Sequence, residues 1–134
     1  MTNEEKVRYW IALSDEDLNA GRTLFSGGHY LYVGFMCHQS LEKIFKACYT
    51  KLKEETPPYT HKLIFLAQQS GFYNSLSEEQ KIIISEIEPL NIEARYPEYK
   101  SSMSKLLSRR KCLELFEQTN TLQQWIKEKI LSTG

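Results

Sequence analysis

Basic side chains are concentrated in one late segment of the chain, where their type and spacing fit the binding of a phosphate. Between positions 95 and 111 there are six basic residues and one acidic residue, a local charge of plus five, whereas residues 1–94 sum to minus four. Arginine and lysine form charge-assisted bonds to phosphate oxygens, and a tyrosine ring can stack on a base. The candidate binding residues are Arg95, Tyr96, Lys105, Arg109 and Arg110, with Tyr99 as a further stacking residue. The competing interpretation is that these charges only decorate a helix surface.

Acid–base chemistry near neutral pH would depend on the three histidines, His29, His38 and His61. None of them has a partner at a metal-binding spacing such as H-E-x-x-H, and no phosphate or dinucleotide loop is present, so neither a metal nor a cofactor is predicted. His61 is expected in the first turn of a short helix, where a lone histidine is usually a surface or hydrogen-bonded residue, and His38 is expected to face the core. Arg22 and His29 are separated by six residues. We interpret that spacing as a coincidence, because two glycines between them leave the geometry loose.

One acidic residue is out of place in the pattern of the first helix. Asp17 falls on the apolar stripe of that helix, where an unpaired carboxylate would be costly. We therefore expect a bonded partner, with Lys43 and Arg95 as the first candidates. A structural pair is favoured over a catalytic acid, and no catalytic residue is assigned.

The length and composition indicate one ordinary globular domain over residues 1–134. Seventeen basic and seventeen acidic residues cancel, so no global field draws the chain to nucleic acid or membrane. The three cysteines have no C-x-x-C spacing, and Cys37 and Cys48 fall on apolar helix faces, as expected of reduced, buried thiols. No signal pattern and no long apolar run is present, and we expect a cytoplasmic protein without a membrane span.

Apolar spacing predicts helices throughout and no secure strand. The first helix is expected from Asn3, as its N-cap, to Ser26, and the second from His29 to Lys53–Glu55. Thr60 is the expected N-cap of a short third helix ending at Ser70. The fourth should open with a capping box at Ser77 and Gln80 and reach Ala94, and Pro89 should kink or divide it. A long final helix should carry Ser108 to Ile130 on one face. The predicted fold is an all-α, up-and-down bundle of four to five helices.

The second helix has a broad apolar face and an opposing polar stripe. The apolar face runs from Leu31 through His38 and Phe45 to Leu52, and it predicts a central position in the bundle. Gly21 and Gly34 are expected to let the first two helices approach closely. The polar stripe, interpreted before other context as a solvated surface, consists of Gln39, Lys43, Lys46, Thr50 and Lys53.

The ordered set of special residues resembles the HEPN domain family (higher eukaryotes and prokaryotes nucleotide-binding domain), nearly from end to end. The matching positions include Trp10, Asp17-Leu18, Ala20, Leu24, Gly28, Tyr30, Phe35, Gln39, Glu42-Lys43, Lys46-Ala47, Pro58, Thr60-His61-Lys62-Leu63 and Arg95-Tyr96-Pro97. The polar motif positions among them are Asp17, Gln39, Glu42, Lys43, Lys46 and His61.

This resemblance implies a helical bundle, often dimeric, that works beside a separate minimal nucleotidyltransferase in a toxin–antitoxin-like pair. Many members of the wider family are ribonucleases with an R-x(4–6)-H motif near the late helices. The present chain departs from that pattern, because no histidine follows Arg95. We therefore expect a binding module for nucleotide or RNA phosphate. The alternative is a metal-independent ribonuclease toxin that brings His61 or His29 beside Arg95 or Arg22 across a dimer interface.

Apolar residues off the main stripes predict association. Tyr9, Leu113 and Trp125 lie outside the stripes of their helices, and the second helix has a wider apolar arc than one neighbour can cover. Such a surplus is commonly buried against an identical chain. We expect a homodimer through helix faces, or the same patch occupied by the nucleotidyltransferase.

Overall fold

A computed structural model describes residues 1–91 and 107–132 of the protein. They form five α-helices: α1 Asn3–Ser26, α2 Tyr30–Lys53, α3 Leu63–Gln69, α4 Glu78–Ile87 and α5 Arg109–Ser132. A short 3₁₀ helix, Tyr73–Ser75, lies between α3 and α4, and the described residues contain no strand. The prediction of an all-α, up-and-down bundle is confirmed. The predicted positions Arg95, Tyr96, Tyr99 and Lys105 lie outside the described residues.

The first two helices form an antiparallel hairpin whose start is set by a capping box. The Thr2 hydroxyl accepts a bond from the Glu5 backbone N–H at 3.1 Å, and the Glu5 carboxylate accepts one from the Thr2 N–H at 3.2 Å. The N-cap is therefore Thr2, and the prediction of Asn3 was wrong by one residue. Gly28 closes the hairpin with φ of +80°, a conformation that glycine adopts without strain.

The two glycines predicted to bring α1 and α2 together have different neighbours. A Cβ on Gly21 would lie 3.0 Å from Phe116 of α5 and 3.4 Å from Met36 of α2, so Gly21 does permit close packing. A Cβ on Gly34 would meet Leu90 at 3.1 Å and Leu107 at 3.2 Å. The expectation for Gly34 was wrong, because that residue faces the segments that follow α4 and precede α5 rather than α1.

The later helices follow the predicted pattern with altered ends. Ser77 and Gln80 form the expected capping box of α4. Pro89 divides the predicted helix, as one of the two expectations had it: α4 ends at Ile87, Glu88 and Pro89 form a turn, and Leu90 and Asn91 are helical again. The predicted end at Ala94 lies outside the described residues. Thr60 does not cap α3, which begins at Leu63, although the Thr60 hydroxyl accepts the Lys62 N–H at 3.2 Å.

The core is arranged around α2, as its wide apolar arc predicts. Leu41, Ile44 and Phe45 are fully buried, and the predicted stripe of α5 is buried from Cys112 to Ile130. Two predicted core positions are exposed. Leu52 is 58% exposed because it borders an open cavity at the end of α2, and Ser108 precedes α5, where its hydroxyl accepts the Lys111 N–H.

The interpretation of the polar stripe of α2 as a solvated surface was wrong. Lys46 and Thr50 are buried, while Gln39 and Lys43 are partly buried and Lys53 is exposed. The chain between α2 and α3 crosses this face and places Tyr59 and His61 against it. The stripe is therefore an internal polar surface.

None of the described helices is long and apolar enough to span a bilayer.

Candidate functional site

A buried polar cluster, here called the Glu42 network, is centred on a carboxylate in the middle of α2. Glu42 Oε1 lies 2.8 Å from His61 Nδ1, and Glu42 Oε2 accepts a bond from Lys46 Nζ at 3.0 Å. Glu42 and Lys46 are 4% and 7% exposed. His38, Glu42 and Lys46 follow one another at four-residue intervals, which places all three side chains on one line of the helix. Each charge is thereby compensated within the bundle.

His38 makes a second contact between α2 and His61, through the His61 backbone. His38 Nε2 lies 2.9 Å from the His61 carbonyl oxygen, which can only accept, so Nε2 must donate the proton. Nδ1 then carries the free lone pair, is buried without a hydrogen-bond partner and lies 3.9 Å from Glu42 Oε1. Burial lowers the pKa of His38 to about 4, despite the nearby Glu42 carboxylate. His38 is therefore neutral at physiological pH, and His61 is held through both its side chain and its backbone.

The Glu42 contact also assigns the tautomer of His61. A carboxylate oxygen accepts, so Nδ1 of His61 carries a proton and donates it to Glu42. In the neutral imidazole, Nε2 is then the free acceptor. The His61 side chain is 33% exposed. This arrangement, a partly accessible imidazole oriented by a buried carboxylate, is the base–orienter half of a catalytic triad.

Aromatic rings border the network. Lys46 Nζ lies 5.5 Å from the Trp10 ring centre and 6.0 Å from that of Tyr59, both within cation–π range. The Tyr59 ring meets the His61 imidazole edge-on at 5.8 Å, although Tyr59 itself is 94% exposed. Tyr59 is thus an exposed ring beside the network.

The predicted pairing of Asp17 with Lys43 is confirmed. Lys43 Nζ donates to Asp17 Oδ2 at 2.6 Å, and the two side chains are 21% and 15% exposed, in the order Lys43 and Asp17. Desolvation raises the pKa of Asp17, and it outweighs the opposing effect of the Lys43 hydrogen bond. The Lys43 ammonium therefore compensates the buried charge of Asp17, and the pair adds no large net gain to the free energy of unfolding. Gln39 lies on the same side of α2, and its side chain neighbours the His38 imidazole.

The second polar region, here called the basic turn, is the first turn of α5, formed by Arg109, Arg110 and Lys111. Arg109 and Arg110 are exposed, and no acidic residue lies in this turn. The Arg109 guanidinium lies 5.2 Å from the ring centre of Phe25, near the end of α1. Lys111 Nζ is 3.9 Å from a carboxylate oxygen of Glu86, at the limit of an ion pair.

Cations in the first turn of a helix oppose the helix dipole, because the N-terminal N–H groups already carry partial positive charge. The sequence could have placed acidic residues there, as it does in the first turns of α1 and α4. An anion placed at this turn would interact favourably with the basic side chains and with the helix end alike.

Sequence reasoning did not include Arg22 and Phe25 in this region. The Arg22 guanidinium lies 5.6 Å from the Phe116 ring centre, one turn beyond the basic turn along α5. The antiparallel hairpin brings the end of α1 to the start of α5, and combining that topology with the charge count would have found both residues. Arg22 donates to Asn19 at 2.9 Å, and in the described residues no hydrogen bond or ion pair joins it to His29. Within one chain, the described residues therefore do not join Arg22 to His29.

The described residues contain no group of three or more His, Cys, Asp or Glu side chains placed to hold a metal ion. The prediction of buried, reduced cysteines is confirmed for Cys37 and Cys48, and Cys112 is buried as well. Burial raises the pKa of Cys37 to about 12 and that of Cys112 to about 11. These thiols are protonated and unreactive at neutral pH.

Comparison with known proteins identifies the family of the chain and a related fold. A profile of the HEPN domain family matches residues 7–130. The fold is similar to that in the crystal structure of TT1696 from Thermus thermophilus, with a TM-score of 0.77 and 16% identity, over 92% of this chain and 98% of that chain. A search of curated proteins found no match. The matched range includes both the Glu42 network and the basic turn. Because the family profile matches nearly the whole chain, the chain belongs to the HEPN domain family.

Proposed function

We propose that this chain is a HEPN-domain binding module that binds nucleotide or RNA phosphate at the basic turn. It works in the cytoplasm beside a minimal nucleotidyltransferase, in a toxin–antitoxin-like pair. The observation that carries the proposal is the set of cations at the N-terminal turn of α5, where the helix dipole disfavours them. A bound phosphate would relieve that repulsion and accept bonds from the Arg109 and Arg110 side chains.

The surroundings of the basic turn fit a nucleotide better than an isolated phosphate ion. Phe25 and Tyr30 pack together with ring centres 5.6 Å apart, and Arg109 covers one of them. Aromatic rings beside arginine are the usual platform for unpaired bases. Because the whole chain has no net charge, we expect weak or moderate, strongly salt-dependent binding.

Binding of a labelled single-stranded oligouridine, followed by fluorescence anisotropy, tests the site. The double variant Arg109→Ala/Arg110→Ala should bind at least tenfold more weakly than the wild type. The matched control is Lys6→Ala/Arg8→Ala, which removes the same charge from the exposed face of α1. Equal losses in both double variants would show a non-specific charge effect and contradict the proposed site.

The proposed partnership can be tested by co-expression with a minimal nucleotidyltransferase and affinity purification of the pair. Association through apolar helix faces was predicted from Tyr9, Leu113 and Trp125. Tyr9 is 51% exposed, whereas Trp125 packs edge-on against Phe72 at 5.8 Å. Tyr9 is therefore the better candidate of these two for an interface. Light scattering of the purified chain should report a homodimer, and a 15.7 kDa monomer at micromolar concentration would contradict self-association.

The alternative function is a metal-independent ribonuclease toxin, and one contact favours it. Glu42 orients His61 so that Nε2 is an acceptor, as required to take the proton of a ribose 2′-hydroxyl. No described arginine makes an ion pair or ring contact with His61, and Arg95 lies outside the described residues. Expression of the chain alone should leave growth and cellular RNA intact if the binding-module proposal is correct. Growth arrest with RNA fragmentation that is lost in His61→Gln but retained in His29→Gln would establish the ribonuclease instead.

A further inference from the structure

A cavity of about 590 Å³ opens at the end of the bundle away from the basic turn. Its walls come from the last turn of α2, the segment after α3 and the last turns of α5. Since α5 has 24 residues, the cavity lies roughly 30 Å from the basic turn along that helix. The volume is within the range of pockets that bind small organic molecules.

The walls of the cavity are aromatic and aliphatic. Phe72 and Trp125 meet edge to face with ring centres 5.8 Å apart, and Leu52 and Ile130 also line the space. Leu52 is 58% exposed although it continues the core face of α2, so it forms an apolar lip. Gly71 has φ of +78°, and a Cβ there would come within 2.9 Å of Leu52. Glycine at this position therefore allows the lip to lie against the loop.

The charged residues at the cavity all have the same sign. Lys51 and Lys129 line it, and none of the described lining residues is acidic. Lys51 Nζ donates to the Ile130 carbonyl, which fixes this ammonium at the edge of the cavity and offsets the negative end of α5. Lys129 Nζ lies 5.5 Å from the Trp125 ring centre. An apolar interior thus adjoins a positive rim.

We propose that this cavity binds a small planar aromatic molecule with one anionic substituent, such as an aryl carboxylate or sulfonate. The ring lies against Trp125 and Phe72, and the anionic group is oriented by the ammonium groups of Lys51 and Lys129. This site is separate from the phosphate site proposed above and does not depend on it. Aromatic contact supplies most of the affinity, and the lysines select for negative charge.

Tryptophan fluorescence provides a direct test, because the chain has two tryptophans, Trp10 and Trp125. In the full-length Trp10→Phe variant, all tryptophan emission comes from Trp125. Titration with 1-anilinonaphthalene-8-sulfonate should quench that emission saturably with a micromolar Kd, while the probe emission rises. Sodium benzoate should compete with the probe, and benzyl alcohol, a neutral analogue, should compete at least fivefold less well.

Two exposed leucines provide a matched pair of variants in the Trp10→Phe background. Leu52→Glu places a negative charge on the lip and should weaken probe binding at least tenfold. Leu131→Glu, at a residue that is 51% exposed and does not line the cavity, should leave it unchanged. Lys129→Met should weaken binding of the probe at least threefold. Unchanged Trp125 emission, equal effects of the two leucine variants, or equal competition by benzoate and benzyl alcohol would overturn the proposal, whatever the outcome at the basic turn.

Discussion

The Glu42 network and the basic turn contain similar side chains in opposite circumstances. In the network, Lys46 and His61 are held by one buried carboxylate within 3.0 Å, and Glu42 itself is 4% exposed. In the basic turn, Arg109 and Arg110 are exposed, no acid lies in the same turn, and the helix dipole opposes them. A buried charge requires a counter-charge within the protein, whereas an exposed charge is solvated and can interact with a ligand.

The difference separates residues that hold the shape of the bundle from residues that we propose bind phosphate. The Glu42 network fixes the chain between α2 and α3 against the bundle, through the side chain and carbonyl of His61. Its removal should change stability and loop position first. The basic turn is exposed and opposed by the helix dipole, so its removal should change binding and leave stability nearly unchanged.

The largest effect should come from removing the carboxylate of the Glu42 network. Glu42→Ala leaves the Lys46 ammonium buried without a counter-charge, and we expect a loss of about 3–5 kcal/mol in the free energy of unfolding. The matched control is Glu4→Ala, which breaks an i,i+4 pair with Arg8 whose side chains are 76% and 67% exposed. That variant should lose less than about 1 kcal/mol. Urea denaturation measures both, and similar losses would remove the distinction between the two kinds of pair.

The stability of the folded protein should depend on pH through His38. The pKa of His38 is lowered from 6.5 to about 4 in the folded protein, so the unfolded chain takes up this proton first as the pH falls. Stability should therefore be fully retained above pH 6.5 and should fall by about 3 kcal/mol between pH 6.5 and 4 because of this residue.

Urea denaturation at several pH values measures this dependence. His38→Gln keeps a donor for the His61 carbonyl but does not titrate, so its curve should be flatter than that of the wild type over this interval. His29→Gln, at an exposed position, is the control and should retain the wild-type slope. Parallel curves for the wild type and His38→Gln would mean that His38 is not buried in its neutral form.

A smaller loss is expected at the Asp17–Lys43 pair, which is intermediate in burial. Asp17→Ala should lower the free energy of unfolding by roughly 1–3 kcal/mol, because Lys43 is 21% exposed and can recover part of its hydration. Glu16→Ala, one residue away and exposed, should change it by less than about 0.5 kcal/mol. If Asp17→Ala loses as much free energy of unfolding as Glu42→Ala, the partial exposure of the Asp17–Lys43 pair does not reduce its contribution to stability.

The smallest change in stability should occur in the basic turn. Arg110→Ala removes a cation from the N-terminal turn of α5, so the free energy of unfolding should stay within about 0.5 kcal/mol of the wild type or rise slightly. Thermal denaturation checks this. A destabilisation of several kcal/mol would show that the basic turn supports the fold, contrary to its proposed role.

Local signals in the sequence were enough to predict the helices, and non-local contacts limited the rest. The capping box of Ser77 and Gln80 and the stripe of α5 depend on neighbouring residues, and both were confirmed. The burial of Lys46 was missed because it depends on how the chain between α2 and α3 crosses the α2 surface. That path brings His61 into contact with Glu42, which lies 19 positions earlier in the sequence. The charge count located the basic turn, but the rings beside Arg22 and Arg109 come from distant segments.

The central claim is that the basic turn binds phosphate, and the salt dependence of RNA binding tests it most directly. Each phosphate contact on a single strand contributes about −0.7 to the slope of log K against log salt concentration. If Arg109 and Arg110 each contact a phosphate, the slope for Arg109→Ala/Arg110→Ala should be less steep than that of the wild type by about 1.4, while Lys6→Ala/Arg8→Ala keeps the wild-type slope. An identical slope in the wild type and Arg109→Ala/Arg110→Ala would contradict the claim.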